Sequence, residues 1–98
     1  MAKFTRTQKF TKENIGNVPQ NKAIIYKIKN GNGENLYTGI AGRGRTQDRL
    51  LEHKEIQKEK IPGGTKFQYA VVKTKVRAHE IEKSIIKKDQ PEFNKNYK

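Results

Sequence analysis

Five side chains between positions 26 and 82 have types and spacings that could do chemistry. Tyr26 and Tyr37 lie eleven positions apart, each in a short apolar run. Arg49 and His53 follow, and on a helix a spacing of four puts both on one face, pointing the same way. Glu82 stands further on, among lysines. A single carboxylate makes no acid/base pair, but it can hold one divalent ion if a substrate phosphate and waters fill the other positions. Taken singly, each residue has a plainer explanation. β-Propensity accounts for the tyrosines, a solvated helix face for Arg49 and His53, and an intrahelical partner such as Lys87 or Arg77 for Glu82.

The elements that must position these groups are short. "AIIYKIK" (23–29) alternates so that Ile24, Tyr26 and Ile28 share one face, with Ile25 and the lysines on the other. "NGNGE" (30–34) is a turn, its Asn and Gly supplying positive-φ positions. "NLYTGI" is the return strand of an antiparallel pair, and Gly39 within it lets another backbone or a ligand come close. The loop "AGRGR" carries Arg43 and Arg45. "TQDRLLEHKEIQKEK" is a predicted helix with Thr46 as N-cap, Asp48 in the first turn and a thin apolar face of Leu50, Leu51 and Ile56.

After the breaker "IPGGT", "KFQYAVVK" is a third strand with Phe67, Tyr69 and Val71 on one face. "VRAHEIEKSIIKKD" is a second helix, with Val76, Ile81, Ile85 and Ile86 in a stripe, ended by Pro91. The tail "EFNKNYK" can lie back through Phe93. The order β-β-α-β-α predicts an α+β domain, a small three-stranded antiparallel sheet flanked by helices. Residues 21–98 read as that domain. Residues 1–20, rich in Thr, Lys and Asn without periodicity, read as a basic, flexible arm, or as a lead-in that packs through Phe4 and Phe10.

Charge is the strongest global signal. The 98 residues carry 22 Lys and Arg against 10 Asp and Glu, a formal net of +12. So high a charge on so short a chain opposes compaction unless a polyanion relieves it, and nucleic acid is the first candidate partner. Lys58, Lys60, Lys66, Lys73, Lys75, Lys87 and Lys88 fit a phosphate-backbone footprint. The sequence holds no cysteine, which excludes disulfides, thiolate zinc sites and cysteine nucleophiles and suits a reducing cytoplasm. The basic N-terminus lacks the apolar core of a secretory signal, and no stretch approaches the ~20 apolar residues of a membrane span. The expectation is a soluble, intracellular, cytoplasmic chain with no membrane partner. On these residues alone it reads as a basic α+β nucleic-acid binder.

A further pattern lies in the same residues. "IIY" (24–26), with "YTG" (37–39) eleven residues after its tyrosine, resembles the GIY-YIG nuclease signature. The remaining positions of that family's pattern have counterparts: Arg49 and His53 on the first helix, and "EKSIIKKDQPEFN" (82–94), similar to the repair-nuclease form E-x-x-[LI]-I-K-x-x-x-P-x-[FY]-N. "NLYTGIAGRGRTQDRLLEH" also resembles small stand-alone members. The likeness runs from about Val18 to Asn94. It departs at Ile24, where the signature has glycine, and at Thr38, where it has Ile or Val; neither position supplies a reacting group.

The resemblance implies hydrolysis of a DNA phosphodiester with one divalent metal, Mg²⁺ or Mn²⁺. It makes Tyr26 the base or water-orienting phenol, its pKa of ~10 lowered by the Lys/Arg field and the metal. Arg49 grips non-bridging phosphate oxygens, and Tyr37 and His53 position the water or share its proton. Glu82 holds the metal, Gly39 admits DNA to the second strand, and Asn94 ties the tail to the core. Arg43 and Arg45 contact phosphates outside the reacting centre. Because this chain has only a short arm, low sequence specificity or selection by DNA shape is expected. A nucleic-acid-binding scaffold with weak catalysis, or an interaction domain of a larger assembly, is the alternative. RNA as partner, and a monomer or a transient dimer, both stay open.

Overall fold

In a computed structural model, which describes residues 3–55 and 60–97, the elements run β1 (Gln8–Lys9), α1 (Lys12–Ile15), β2 (Ala23–Lys29), β3 (Asn35–Ala41), α2 (Thr46–Glu55), β4 (Lys66–Val72), α3 (Lys75–Asp89) and a 3-10 segment (Glu92–Tyr97). Ile56 and Lys58 lie outside the described residues. β2 and β3 fold back on each other across the Asn/Gly turn. Asn30 organises that turn, its Oδ1 accepting from the backbone N–H of Asn32 at 2.9 Å and of Glu34 at 3.0 Å. Gly33 supplies the positive φ, +86°. The pairing sets Tyr26 opposite Gly39 and Ile28 opposite Tyr37.

The sheet has four strands in the order β1-β4-β2-β3, all antiparallel, and not the three expected. The added strand and the short helix α1 both come from the segment read as a flexible arm or as a lead-in packed through Phe4 and Phe10, and the second reading holds. Two residues of strand carry no alternation, so β1 has no signature of its own; it exists because the exposed edge of β4 needs partners. Phe10 continues the pairing, donating its N–H to the Thr65 carbonyl at 2.9 Å. Phe10, Ile15 and Val18 are buried in the main core, and Phe4 packs on the other face of the sheet. Three well-spaced apolar residues anchor the segment where composition suggested mobility.

The helices lie on both faces. Leu50 of α2 and Ile15 of α1 pack with Ile24, Tyr26, Ile28, Tyr37 and Phe67. Ala78, Ile81 and Ile85 of α3 pack with Ile25, Ala70 and Val72 on the opposite face. Val76, expected in the α3 stripe, is 72% exposed, and Ala78 takes its place in the core. Thr46 is not an N-cap: its hydroxyl donates to the Pro19 carbonyl at 2.6 Å and so fastens the start of α2 to the N-terminal segment. Thr74 does cap α3, accepting from the Arg77 N–H at 3.1 Å. No described helix is long and apolar enough to cross a membrane.

Candidate active site

The period of two along β2 and β3 sends Tyr26, Tyr37 and Gly39 to the face that α2 covers. His53, on α2, drops onto them. The Tyr26 hydroxyl and His53 Nε2 lie 2.7 Å apart, a buried hydrogen bond. The three rings form a triangle, with centroids 6.2 Å (Tyr26 to Tyr37), 5.6 Å (Tyr26 to His53) and 4.7 Å (Tyr37 to His53). Gly39 makes room for it. A Cβ there would sit 2.6 Å from the Tyr26 hydroxyl and 2.8 Å from Cε2 of Tyr37, inside contact distance of both. What approaches Gly39 closely is therefore the tyrosine pair of the chain itself.

Burial pushes the Tyr26 pKa well above its ordinary value; Tyr37, Glu82 and Glu52 push the same way and Arg49 opposes them. This corrects the expectation that a cationic field lowers it. A phenol inside the core loses the water that would solvate its anion, and one arginine does not offset that loss. In the free protein Tyr26 is a neutral hydrogen-bonding group.

Arg49, one turn before His53, has its Nη1 2.7 Å from Oε1 of Glu52; Arg45 reaches the other oxygen of the same carboxylate, Nη2 to Oε2, at 3.0 Å. These bonds, that from Arg49 foremost, lower the Glu52 pKa. Glu52 was not among the residues singled out from sequence, although its place three after Arg49 on one helix face is the signal that could have found it. Arg43 is exposed in the loop. The loop itself is pinned by Gly44, which takes φ +86° and donates to the Gln20 carbonyl at 2.6 Å.

Glu82 comes from α3. Its side chain is 18% exposed, and the ring nitrogen Nδ1 of His79 is 3.8 Å from Oε1. Partial burial raises its pKa, with His79 opposing. Its charge also bears on the Tyr26 phenol. Among the described residues no group of three His, Cys, Asp or Glu side chains forms a cage for a metal ion. A lone, partly desolvated carboxylate suits a divalent cation that takes its other ligands from a phosphate and water, and does not suit a closed protein site.

Asn94 lies fully buried at the other side of β3. Its Oδ1 accepts from the Thr38 N–H at 2.7 Å and its Nδ2 donates to the Thr38 carbonyl at 3.0 Å. It thus holds the strand between Tyr37 and Gly39. Of the lysines noted in sequence, Lys60, Lys73, Lys75, Lys87 and Lys88 are exposed and Lys66 is half-buried.

Neither a family sequence model nor a curated protein sequence matches the chain. Among solved structures, the GIY-YIG N-terminal endonuclease domain of UvrC from Thermotoga maritima superimposes with a TM-score of 0.68 at 27% identity, covering 83% of this chain and 90% of that one. That structure is of an asparagine-to-alanine variant with the catalytic divalent cation bound. A tyrosine-to-phenylalanine variant of the same domain, also with the cation bound, matches at the same TM-score and identity, over 84% and 91%. The chain belongs to the GIY-YIG superfamily. Within that superfamily fold, its tyrosines sit on neighbouring strands and its arginine and histidine on the helix that follows them.

Proposed function

We propose that this GIY-YIG domain is a divalent-cation-dependent endonuclease that hydrolyses DNA phosphodiester bonds, choosing substrates by shape or with little sequence preference. The observation that carries the reading is the buried Tyr26–His53 hydrogen bond beside Tyr37 and Arg49. The UvrC domain with its bound cation supports the metal requirement.

Because burial disfavours a Tyr26 phenolate, the water's proton is best taken by relay. As water attacks phosphorus, its proton passes to the Tyr26 oxygen while the phenolic proton moves to His53 Nε2, leaving a neutral phenol and an imidazolium. Tyr37, packed on the His53 ring, fixes its orientation. Arg49 presents a planar fork to the non-bridging oxygens. Binding of the phosphate draws that fork from Glu52, and Glu52, still bonded to Arg45, keeps the loop in register. Glu82 holds the cation, which supplies Lewis-acid stabilisation of the developing negative charge.

Nicking of supercoiled plasmid at low salt, in Mg²⁺, Mn²⁺ or EDTA, tests the reading with wild type, Glu82→Ala and Arg49→Ala. Cation-dependent open circles that disappear in both variants are expected. Plasmid and branched DNA that are bound and never cut would leave only a binding scaffold.

A further inference from the structure

Strand register sets three lysines side by side. Lys9 of β1 pairs with Lys66 of β4, and Lys66 pairs with Lys29 of β2. Residues paired across antiparallel strands project to the same face, so the three form a row whose ends are about 10 Å apart, two strand spacings. Lys27, two residues before Lys29, faces the same way. This is the face that α3 covers further along; Tyr26 and Tyr37 project from the other.

Like charges directly opposite one another destabilise an antiparallel pair. Among the described residues no carboxylate lies within 4.0 Å of Lys9, Lys29 or Lys66, so the row has no ion pair; Asp89 acts on Lys29 only from further off, against burial and the charge of Lys27. Lys29 Nζ donates to the Thr7 hydroxyl and Lys66 Nζ to the Gly31 carbonyl, each at 3.3 Å, and both acceptors are neutral. Lys27 differs, with Asp89 at 4.0 Å and the Phe4 ring beneath it at 4.7 Å. Guarding a sheet edge explains a lysine at Lys9. It does not explain Lys29 and Lys66, which sit in the two inner strands. Gln68, next on this face of β4, shows that a neutral polar residue serves at the adjoining position. The repulsion is relieved when a polyanion lies across the row, and the row's span matches the axial rise of about three phosphates on one DNA strand.

We infer that Lys9, Lys29 and Lys66 form a second phosphate-backbone contact, on the sheet face opposite Tyr26, for a duplex segment other than the one offered to the candidate active site. It rests on the proposed function for its choice of nucleic acid and does not require that the chain cut. A domain gripping duplex on both faces of its sheet would sit between two arms of a branched substrate.

Titration of ¹⁵N-labelled protein with a short DNA duplex in EDTA tests it. Amides at 9, 29 and 66 are expected to shift at low salt, up to a second equivalent of duplex, and to return as salt rises. A Lys9→Gln, Lys29→Gln, Lys66→Gln variant is expected to lose those shifts, keep those around Arg49 and melt no lower than wild type. The log–log salt slope of the second binding step is expected to flatten by about 2–3, and Lys→Arg at the same positions to preserve it. Row amides that stay still at two equivalents, or a second step unchanged in the Gln variant, overturn the inference. So does loss of binding to phosphatidylserine vesicles with duplex binding intact, which would assign the row to a membrane surface. Shifts at the row without shifts at Arg49 uphold it and count against the proposed active site instead.

Discussion

The Tyr26 hydroxyl sits 2.7 Å from His53 Nε2, and both side chains lie beneath the surface. The pair joins a strand to a helix twenty-seven residues away, so it links the packing of the core to any chemistry done there. Tyr26→Phe keeps the ring and removes the bond. Nicking is expected to fall about 10²–10⁴-fold, the range for losing a positioned proton-transfer group. Stability should fall by about 1–3 kcal/mol, the cost of unmaking a buried hydrogen bond. A variant that nicks at the wild-type rate would remove Tyr26 from the proton path.

The raised Tyr26 pKa gives an alkaline signature. A folded pKa above the unfolded one contributes stability that is fully present below the unfolded pKa, about 10 for tyrosine, and is lost as pH rises through the folded value. Stability should therefore begin to fall above pH ~10 and keep falling until the folded value is passed. The drop should be shallower in Tyr26→Phe. Phenolate absorbance read against pH should include a component, absent from Tyr26→Phe, that ionises only as the protein unfolds.

Gly39→Ala tests the packing. The new Cβ would meet the Tyr26 hydroxyl at 2.6 Å and Tyr26 Cζ at 2.8 Å. Tyr26 is fully buried and has no room to swing aside. Overpacking of this kind costs about 1–3 kcal/mol, and displacement of the phenol should lower nicking about 100-fold. Thermal melting and the plasmid assay, read together, separate the two effects.

Glu82→Gln is expected to move activity and stability in opposite directions. Its folded pKa is raised by burial, so the folded state favours the protonated form. As pH rises above the ordinary carboxylate range, stability contributed by the protonated form is lost, and the neutral amide removes that loss. The melting temperature should be unchanged or slightly higher, while nicking falls by more than ~100-fold. A clear loss of stability would mean that Glu82 supports the fold instead of waiting for a cation.

That Tyr26, Tyr37 and Gly39 share a face is written in the alternation of β2 and β3, and the chain order of the long elements follows from hydrophobic period and breakers. What escaped the sequence has tertiary causes. β1 is two residues long and takes its register wholly from β4. Thr46 looks like a cap but is claimed by the Pro19 carbonyl, twenty-seven positions away. The pKa of Tyr26 depends on how deeply the ring is buried, and a count of nearby lysines does not measure depth. Glu52 belongs to no motif; what marks it is the convergence of Arg45 and Arg49 on its carboxylate, which only the folded chain brings about.

Asn94 has a consequence beyond holding the tail. β3 is an outer strand of the sheet, and Thr38 is its midpoint. By taking both the N–H and the carbonyl of Thr38, the asparagine fills the position that an added strand would need. A second copy cannot extend the sheet across that margin, nor can an aggregate template on it. Any assembly that cuts both strands of a duplex at once must be joined elsewhere, or a single copy must make its two incisions in turn.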